Sequence, residues 1–364
     1  MLTPTESSAV APQAVRRLIL NLHLFIALLA GAFLIVFGVT GSIMAFEPEL
    51  DHVLHARVSY VTPQGPPKTL AELGAAAAKA IPGQRVTGYV LSVSPDLSWQ
   101  VAFGRRGVYI NQYTGEVLGP RDPGPDFLSR VHQLHLRLLI QNRSDTGKTV
   151  MTWAGAAFLF LLVSGAYLWW PLKRVAVSVR SGGRRFWFDV HNAVGIFSLL
   201  FLLLLAITGV VIGFDGTIVP LIYRATGSAP RLMYAPPKPF QSTPPGTPIG
   251  VDRAIEIARG TLAGAAPISV NVPPPTGVYN VSARYPEDRT PGGRSRIVIE
   301  QYSGSVLAAE SSRTAPAGSR IVTLNRAIHT GDILGLPSKA VMSLASLTVL
   351  AQLVSGLVMW LKKR

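Results

Sequence analysis

Residues 23–46 read HLFIALLAGAFLIVFGVTGSIMAF, and residues 191–214 read HNAVGIFSLLFLLLLAITGVVIGF. The two stretches align without a gap. His23 falls on His191, Thr40-Gly41 on Thr208-Gly209 and Phe46 on Phe214, each 168 residues further on. Neither stretch holds an Asp, Glu, Lys or Arg. A charge-free apolar run of about 20 residues is long enough to cross a bilayer as a helix. Two more such runs follow, so that the spans are expected at 18–46, 149–171, 189–214 and 340–361. The first is too long for a signal-peptide core, and no small-residue cleavage site follows it. It is read as a retained helix.

Composition agrees with lipid as the solvent for part of the chain. Hydrophobic residues make up 48% of its 364 residues and charged residues only 15%, against roughly 25% charged in a typical soluble domain. The mean hydropathy is +0.34. The absence of cysteine excludes disulfides, zinc–thiolate sites and Cys-ligated iron–sulfur clusters. The formal charge of +15 does not point to nucleic acid. The Lys and Arg form no recognition helix and no arm with interleaved aromatics.

Several of those cations flank the spans. Arg16 and Arg17 precede the first, Lys173, Arg174, Arg180, Arg184 and Arg185 lie between the second and third, and Lys362, Lys363 and Arg364 follow the fourth. Basic short segments favour the cytoplasmic side. The N-terminus (1–17), a basic loop (172–188) and the C-terminus (362–364) are therefore expected inside, and the long connections outside. A bacterial inner membrane, with both termini cytoplasmic and two periplasmic domains, is the setting this implies.

The long connections have folded patterns. Residues 86–118 alternate in strand fashion, as do 268–286 and 295–308. A helical candidate precedes each set, TLAELGAAAAKAI and GVDRAIEIARGTLA. Each region is expected to be one helix with a small antiparallel sheet, giving domains at 47–125 and 215–320. Interfacial helices are expected at 126–148 and 321–339. Pro-rich linkers, TPQGPPK and APPKPFQSTPPGTP, join membrane to domain. The repeat continues through these parts. QYTGEVL at 112–118 matches QYSGSVL at 301–307, and SGAYLWW at 164–170 matches SGLVMWL at 355–361. The fold class is thus a membrane all-α four-helix bundle with two external α+β domains, built by an internal parallel duplication.

Only seven His exist, and their places are informative. His23 and His191 occupy matching sites near the cytoplasmic face. His135 and His329 lie just outside the second and fourth spans, near the external face. Ionisable residues at membrane depth are costly and usually functional. Two matched His on neighbouring helices suit one iron held from both sides, as in a bis-His b-type haem. Two such pairs give two haems stacked across the bilayer. His132, three residues before His135 on the same helical face, is an alternative external ligand or a substrate contact. His52 and His55 follow the first span, with either interfacial roles or a part in the external site.

Every span also carries a Ser/Thr-Gly pair: Thr40-Gly41, Ser164-Gly165, Thr208-Gly209 and Ser355-Gly356. Gly41 lies roughly 27 Å beyond His23 along a helix. Two helices at each level then offer His while the other two offer Gly. One reading is that Gly41, Gly165, Gly209 and Gly356 clear room for a flat macrocycle; the other is plain close packing of helices.

The segments LHLFIALLAGAFLIVFGVTGSIMAFEPELD, LHLRLL, GKTVMTWAGAAFLFLLVSGAYLWWPLKR, FDVHNAVGIFSLLFLLLLAITG and IHTGDILGLPSKAVMSLASLTVLAQLVSGLVMW together resemble the PepSY-associated transmembrane helix proteins. The likeness involves all four helices, and the YTGEVLG and YSGSVLA turns resemble the ends of PepSY domains. That family includes iron-regulated inner-membrane proteins and FoxB-like ferrisiderophore reductases. The resemblance implies PepSY-like external domains, b-type haem in the bundle, and reduction of a ferric siderophore or similar chelate in the periplasm. Hard hydroxamate and catecholate oxygens hold Fe(III) far better than Fe(II), so reduction releases the iron. No nucleotide-binding module accompanies these spans, so the electron donor is a flavoprotein or the quinol pool. Arg105, Arg106, Arg294 and Arg296 are candidates to attract an anionic chelate. A non-enzymatic PepSY-type regulator and a siderophore permease are the competing readings. A regulator needs no intramembrane His, and a permease more often has broken helices near the midplane.

Overall fold

The computed structural model describes residues 7–124, 126–173, 175–229, 240–242 and 246–362. Arg174, Lys363, Arg364 and much of the Pro-rich stretch at 235–248 lie outside them. The chain divides into two compact units. One contains Met1–Phe46, Arg130–Ile218 and Asn325–Arg364, and the other contains Glu47–Ser129 and Val219–Leu324.

The first helix, α1, runs Ser7–Met44. Short helices α2 (Glu47–Leu54) and α3 (Ala56–Ser59) follow it, then α4 (Leu70–Ala78). Strands β1 (Gly88–Val90), β2 (Trp99–Phe103), β3 (Arg106–Ile110) and β4 (Val117–Arg121) come next. Then come α5 (Phe127–Arg137), α6 (Thr146–Trp169), α7 (Gly183–Gly213), α8 (Asp215–Ala225) and α9 (Val251–Thr261). Strands β5 (Ala266–Asn271), β6 (Val278–Arg284), β7 (Ser295–Glu300) and β8 (Val306–Glu310) precede α10 (Ala317–His329) and α11 (Leu336–Leu361).

Among the described residues, four helices are long and apolar enough to cross a membrane: Gln13–Met44, Thr146–Trp169, Gly183–Gly213 and Leu336–Leu361. Neighbours around the bundle run α1, α6, α7, α11 and back to α1, which puts α1 and α7 on one diagonal. Leu34, Leu161, Leu202, Ala345 and Val349 fill its middle. All four of these helices begin earlier than the charge-free runs do. Arg184 and Arg185 lie in the first turn of α7, where Arg185 pairs with the buried Asp189 one turn on, 3.3 Å away. A charge at a helix end ends an apolar run without ending the helix.

The interfacial helices are shorter than expected. After α5 the chain turns through Leu138 and Leu139, both at positive φ, and α6 starts afresh at Thr146. The turn closes tightly against Gly147, where a Cβ would lie 1.9 Å from the Arg137 carbonyl oxygen. After α10, Gly331 (φ +77°) and a 3-10 turn at Asp332–Leu334 lead into α11.

The other unit holds one eight-stranded sheet in the order β4-β3-β2-β1-β5-β6-β7-β8. The two strand-rich regions do not each close a small sheet. The three-residue β1 pairs antiparallel with β5 through Tyr89↔Val270, which removes the two inner edges that separate sheets would expose. Alternate residues face one side. Val101, Phe103, Val108 and Ile110 pack with Leu70, Leu73 and Ala77 of α4, and Val270, Val281, Ile297 and Ile299 with Ala254, Ile255 and Ala258 of α9, in one core. Thr69 and Glu72 form a capping box on α4, and Asp252 of α9 accepts from the Leu70 and Ala71 amides at 2.6 and 3.0 Å.

The repeated Gln-Tyr turns have a structural use. Gln301 Nε2 lies 2.9, 2.7 and 2.8 Å from the carbonyl oxygens of Pro274, Pro275 and Gly277, and the Tyr302 hydroxyl donates to Pro275 at 2.6 Å. Gln112 and Tyr113 hold the Pro95 loop in the same way. Gln301→Ala strips the amide from three carbonyls at a site 2% exposed. An unfolding measurement on this unit is expected to show a loss of about 1–3 kcal/mol.

A partly buried ionic cluster lies on the other region of this unit. Arg121 donates to both Asp51 oxygens at 2.9 and 2.6 Å, to Asp126 at 2.6 Å and to the Tyr109 hydroxyl at 3.2 Å. His55 Nδ1 is 3.3 Å from Asp51, and Nε2 is 3.9 Å from Asp126. His52 stands edge-on to Tyr60.

Candidate functional site

Two sets of histidines lie along the bundle, one on α1 and α7 and the other on α5 and α10, and each ring is fixed by a neighbouring helix. His23 Nδ1 of α1 lies 2.8 Å from the Ser164 hydroxyl of α6. His191 Nδ1 of α7 lies 3.0 Å from the Ser355 hydroxyl of α11 and 3.1 Å from the Gln352 carbonyl oxygen. At the other level, His135 Nδ1 of α5 lies 2.7 Å from the Thr40 hydroxyl of α1. His329 Nδ1 of α10 lies 3.0 Å from the Thr208 hydroxyl of α7. The two levels are separated along α1 by the stretch from His23 to Thr40, about 25 Å at 1.5 Å per residue.

Each hydroxyl already donates one turn back along its own helix. Ser164 donates to the Phe160 carbonyl, Ser355 to Ala351, Thr40 to Val36 and Thr208 to Leu204, at 2.7, 2.6, 2.5 and 2.5 Å. What remains on each oxygen is a lone pair, to which an imidazole in the Nδ1–H form would donate. No hydrogen bond reaches Nε2 of any of the four rings among the described residues. A neutral imidazole with Nδ1–H satisfied and the Nε2 lone pair presented is the form that binds metal.

The glycines beside those hydroxyls face the same rings. A Cβ at Gly165 would lie 3.5 Å from His23 Cε1, at Gly356 3.6 Å from His191 Cε1, at Gly41 3.6 Å from His135 Cε1 and at Gly209 3.1 Å from His329 Cε1. At Gly165, Gly209 and Gly356 that ring is all that neighbouring elements bring within 4 Å. Each missing side chain thus leaves space beside an imidazole.

His329 lies close enough to His135 to act on its protonation. Desolvation pushes His135 down to about 3, with His329 and His132 acting in the same direction. Desolvation also takes His329 down to about 4, against a hydrogen bond from the ring to the Leu205 backbone. Both imidazoles are neutral at any physiological pH. Phe37 stands edge-on to His135 with centroids 5.4 Å apart. His132 is half-buried one turn before His135, close enough to influence it electrostatically. Among the described residues, no group of three or more His, Cys, Asp or Glu comes together to hold a bare metal ion.

A sequence model described as the PepSY-associated TM region matches residues 20–363. The chain belongs to that family. The match takes in all four spans and the sheet unit of this PepSY-associated TM protein. No curated protein sequence matches the chain.

The four arginines do not converge. Arg105 and Arg106 are exposed at the β2–β3 turn. Register places that turn at the end of the sheet where Gly88 faces both Ala102 and Asn271. Arg294 and Arg296 lie where β7 begins, beside Ala283 and Ser282, at the opposite end. Arg294 donates to Thr290 and Arg296 to Asn280, so both have partners within the sheet unit. A single four-arginine patch for substrate does not form.

Sequence reasoning singled out the glycines of the Ser/Thr-Gly pairs and passed over the hydroxyls. The signal was present: each hydroxyl recurs at the depth of a histidine on another helix. Gln352 was also missed. Its amide donates to the His191 carbonyl oxygen at 3.0 Å, and it has no counterpart in α6, where the matching residue is Leu161.

Proposed function

We propose that this PepSY-associated TM protein is a dihaem b electron-transfer protein of a bacterial inner membrane, which reduces a ferric siderophore or similar chelate in the periplasm. The observation that carries the reading is the set of four imidazoles, two at each level, each tethered through Nδ1 with Nε2 unspent. The residues fit haem. Neutral imidazole suits haem iron, and the glycine positions leave space beside each ring. His23 and His191 would hold one haem, and His135 and His329 the other, with His132 as the alternative ligand. Bound haem supplies one-electron chemistry at each level. The flanking cations favour the His23–His191 level inside and the His135–His329 level outside.

The protein's own contribution is orientation and insulation. Hydroxyls fix each ring, and the apolar middle of the bundle, with Leu34, Leu161 and Leu202, keeps water and ions from the path between levels. The overall reaction takes one electron from a flavoprotein or quinol and gives it to Fe(III) in the chelate, releasing Fe(II). The test uses protein in nanodiscs reduced with dithionite, freed of excess reductant and mixed with a ferric hydroxamate plus an Fe(II) trap. The reduced b-type band is expected to decay as Fe(II) is trapped, at about one iron per haem oxidised. A stable reduced band with no trapped Fe(II) overturns the substrate reading.

A further inference from the structure

The four Ser/Thr-Gly pairs share one construction that close helix packing does not require. In every case the hydroxyl spends its proton on a carbonyl three or four residues earlier, and its oxygen stands 2.7–3.0 Å from a histidine Nδ1 on another helix. In every case the following glycine lies against Cε1 of that same ring. At His191 the direction of the bond has a second witness: the Gln352 carbonyl, which only accepts, is 3.1 Å from Nδ1. Such agreement across four helices and two residue types argues for a selected ring tautomer.

We propose that Thr40, Ser164, Thr208 and Ser355 are positioning residues, each locking its partner histidine as the Nδ1–H tautomer and aiming Nε2 into the bundle. At Gly209 a Cβ would crowd the His329 ring at 3.1 Å, and at the other three glycines it would stand in ordinary contact with the ring, 3.5–3.6 Å away. The tautomer part of the proposal concerns the chain alone. Its consequence for iron rests on the haem reading above. A histidine ligand whose Nδ1–H is hydrogen-bonded is fixed in rotation and made more basic, so loss of the acceptor frees the ring to turn.

The experiment uses the full chain in nanodiscs, labelled with 15N-histidine and produced in cells unable to make haem. Two-bond 1H–15N correlations separate Nδ1–H from Nε2–H rings. Nδ1–H patterns are expected for His23, His135, His191 and His329. Thr40→Val keeps the shape but removes the acceptor, and is expected to shift His135 to an Nε2–H pattern, while Thr40→Ser keeps the wild-type pattern. Should Thr40→Val not accumulate, Ser164→Ala puts the same question to His23. Nε2–H rings in the wild type, or an unmoved pattern in the valine variant, overturn the proposal. In haem-replete protein the valine variant is expected to shift the low-spin ferric resonance of one haem only, and the serine variant to restore it. An unmoved resonance overturns the positioning role. A chain that takes up no haem yet shows four Nδ1–H rings upholds the tautomer lock and overturns the haem reading instead.

Discussion

His191→Ala is expected to halve the haem content of the purified chain and leave the absorbance of the other level in place. His191 and His23 come from α7 and α1, on one diagonal of the bundle, and among the described residues no other histidine is tethered at that level. With His191 gone, His23 keeps its bond to Ser164 but has no partner across the bundle, so six-coordinate binding is lost. His135 and His329 are held by Thr40 and Thr208, at the far ends of the same two helices, and the change leaves both bonds intact. Pyridine haemochrome analysis gives the count, and a dithionite-reduced difference spectrum shows which band survives. Transfer from an internal donor to an external ferric chelate should fall at least tenfold, about 1.4 kcal/mol in barrier. Unchanged haem content would reject the pairing of His23 with His191.

Arg121→Ala is the substitution expected to weaken the sheet unit most. Side-chain exposure is 13% for Arg121, 27% for Asp51 and 18% for Asp126. Removing the arginine leaves two carboxylates facing each other, with His55 and His52 near Asp51. Breaking a buried pair this way costs about 3–5 kcal/mol, and the partial exposure here brings the expectation to about 2–3 kcal/mol. Hydrogen exchange of β4 amides should accelerate accordingly, by about 30-fold or more. A pH signature accompanies it. Desolvation works to raise the Asp51 carboxyl, but the hydrogen bonds and charge of Arg121, with His55 and His52, overcome it and hold the group below 3.8. A carboxyl depressed in the folded state contributes stability that is present above its unfolded value and lost as pH falls through the folded one. Wild-type protein should therefore lose protection in β4 as pH drops below about 4, and Arg121→Ala should lack that added loss. Equal exchange rates in the two proteins would contradict the assignment.

The spans were legible because lipid imposes a simple rule on sequence: charge-free apolar runs of sufficient length. The helix ends were less so. Arg184 and Arg185 belong to α7, and Lys148 to α6, because a helix continues past the point where its side chains reach water. The single sheet was not legible. Alternation at 88–90 and 266–271 marks both as strands, but nothing local in Gly-Tyr-Val says that its partner is a strand of the second strand-rich region. The site was half legible. Histidine placement at matched depths could be read from the repeat, whereas the hydroxyl acceptors could not be assigned, since His23 and Ser164 are 141 residues apart and His191 and Ser355 164. The arginine quartet failed for the reason the sheet did: sign and exposure are local, but strand register decides which end of the sheet a residue reaches.

The central claim is that two imidazole pairs hold two irons. The most direct test is the haem count of the full chain, purified from cells supplied with iron and a haem precursor. Two b-type haems per chain, both low-spin and both reducible by dithionite, are expected. A colourless preparation from those cells would contradict the account.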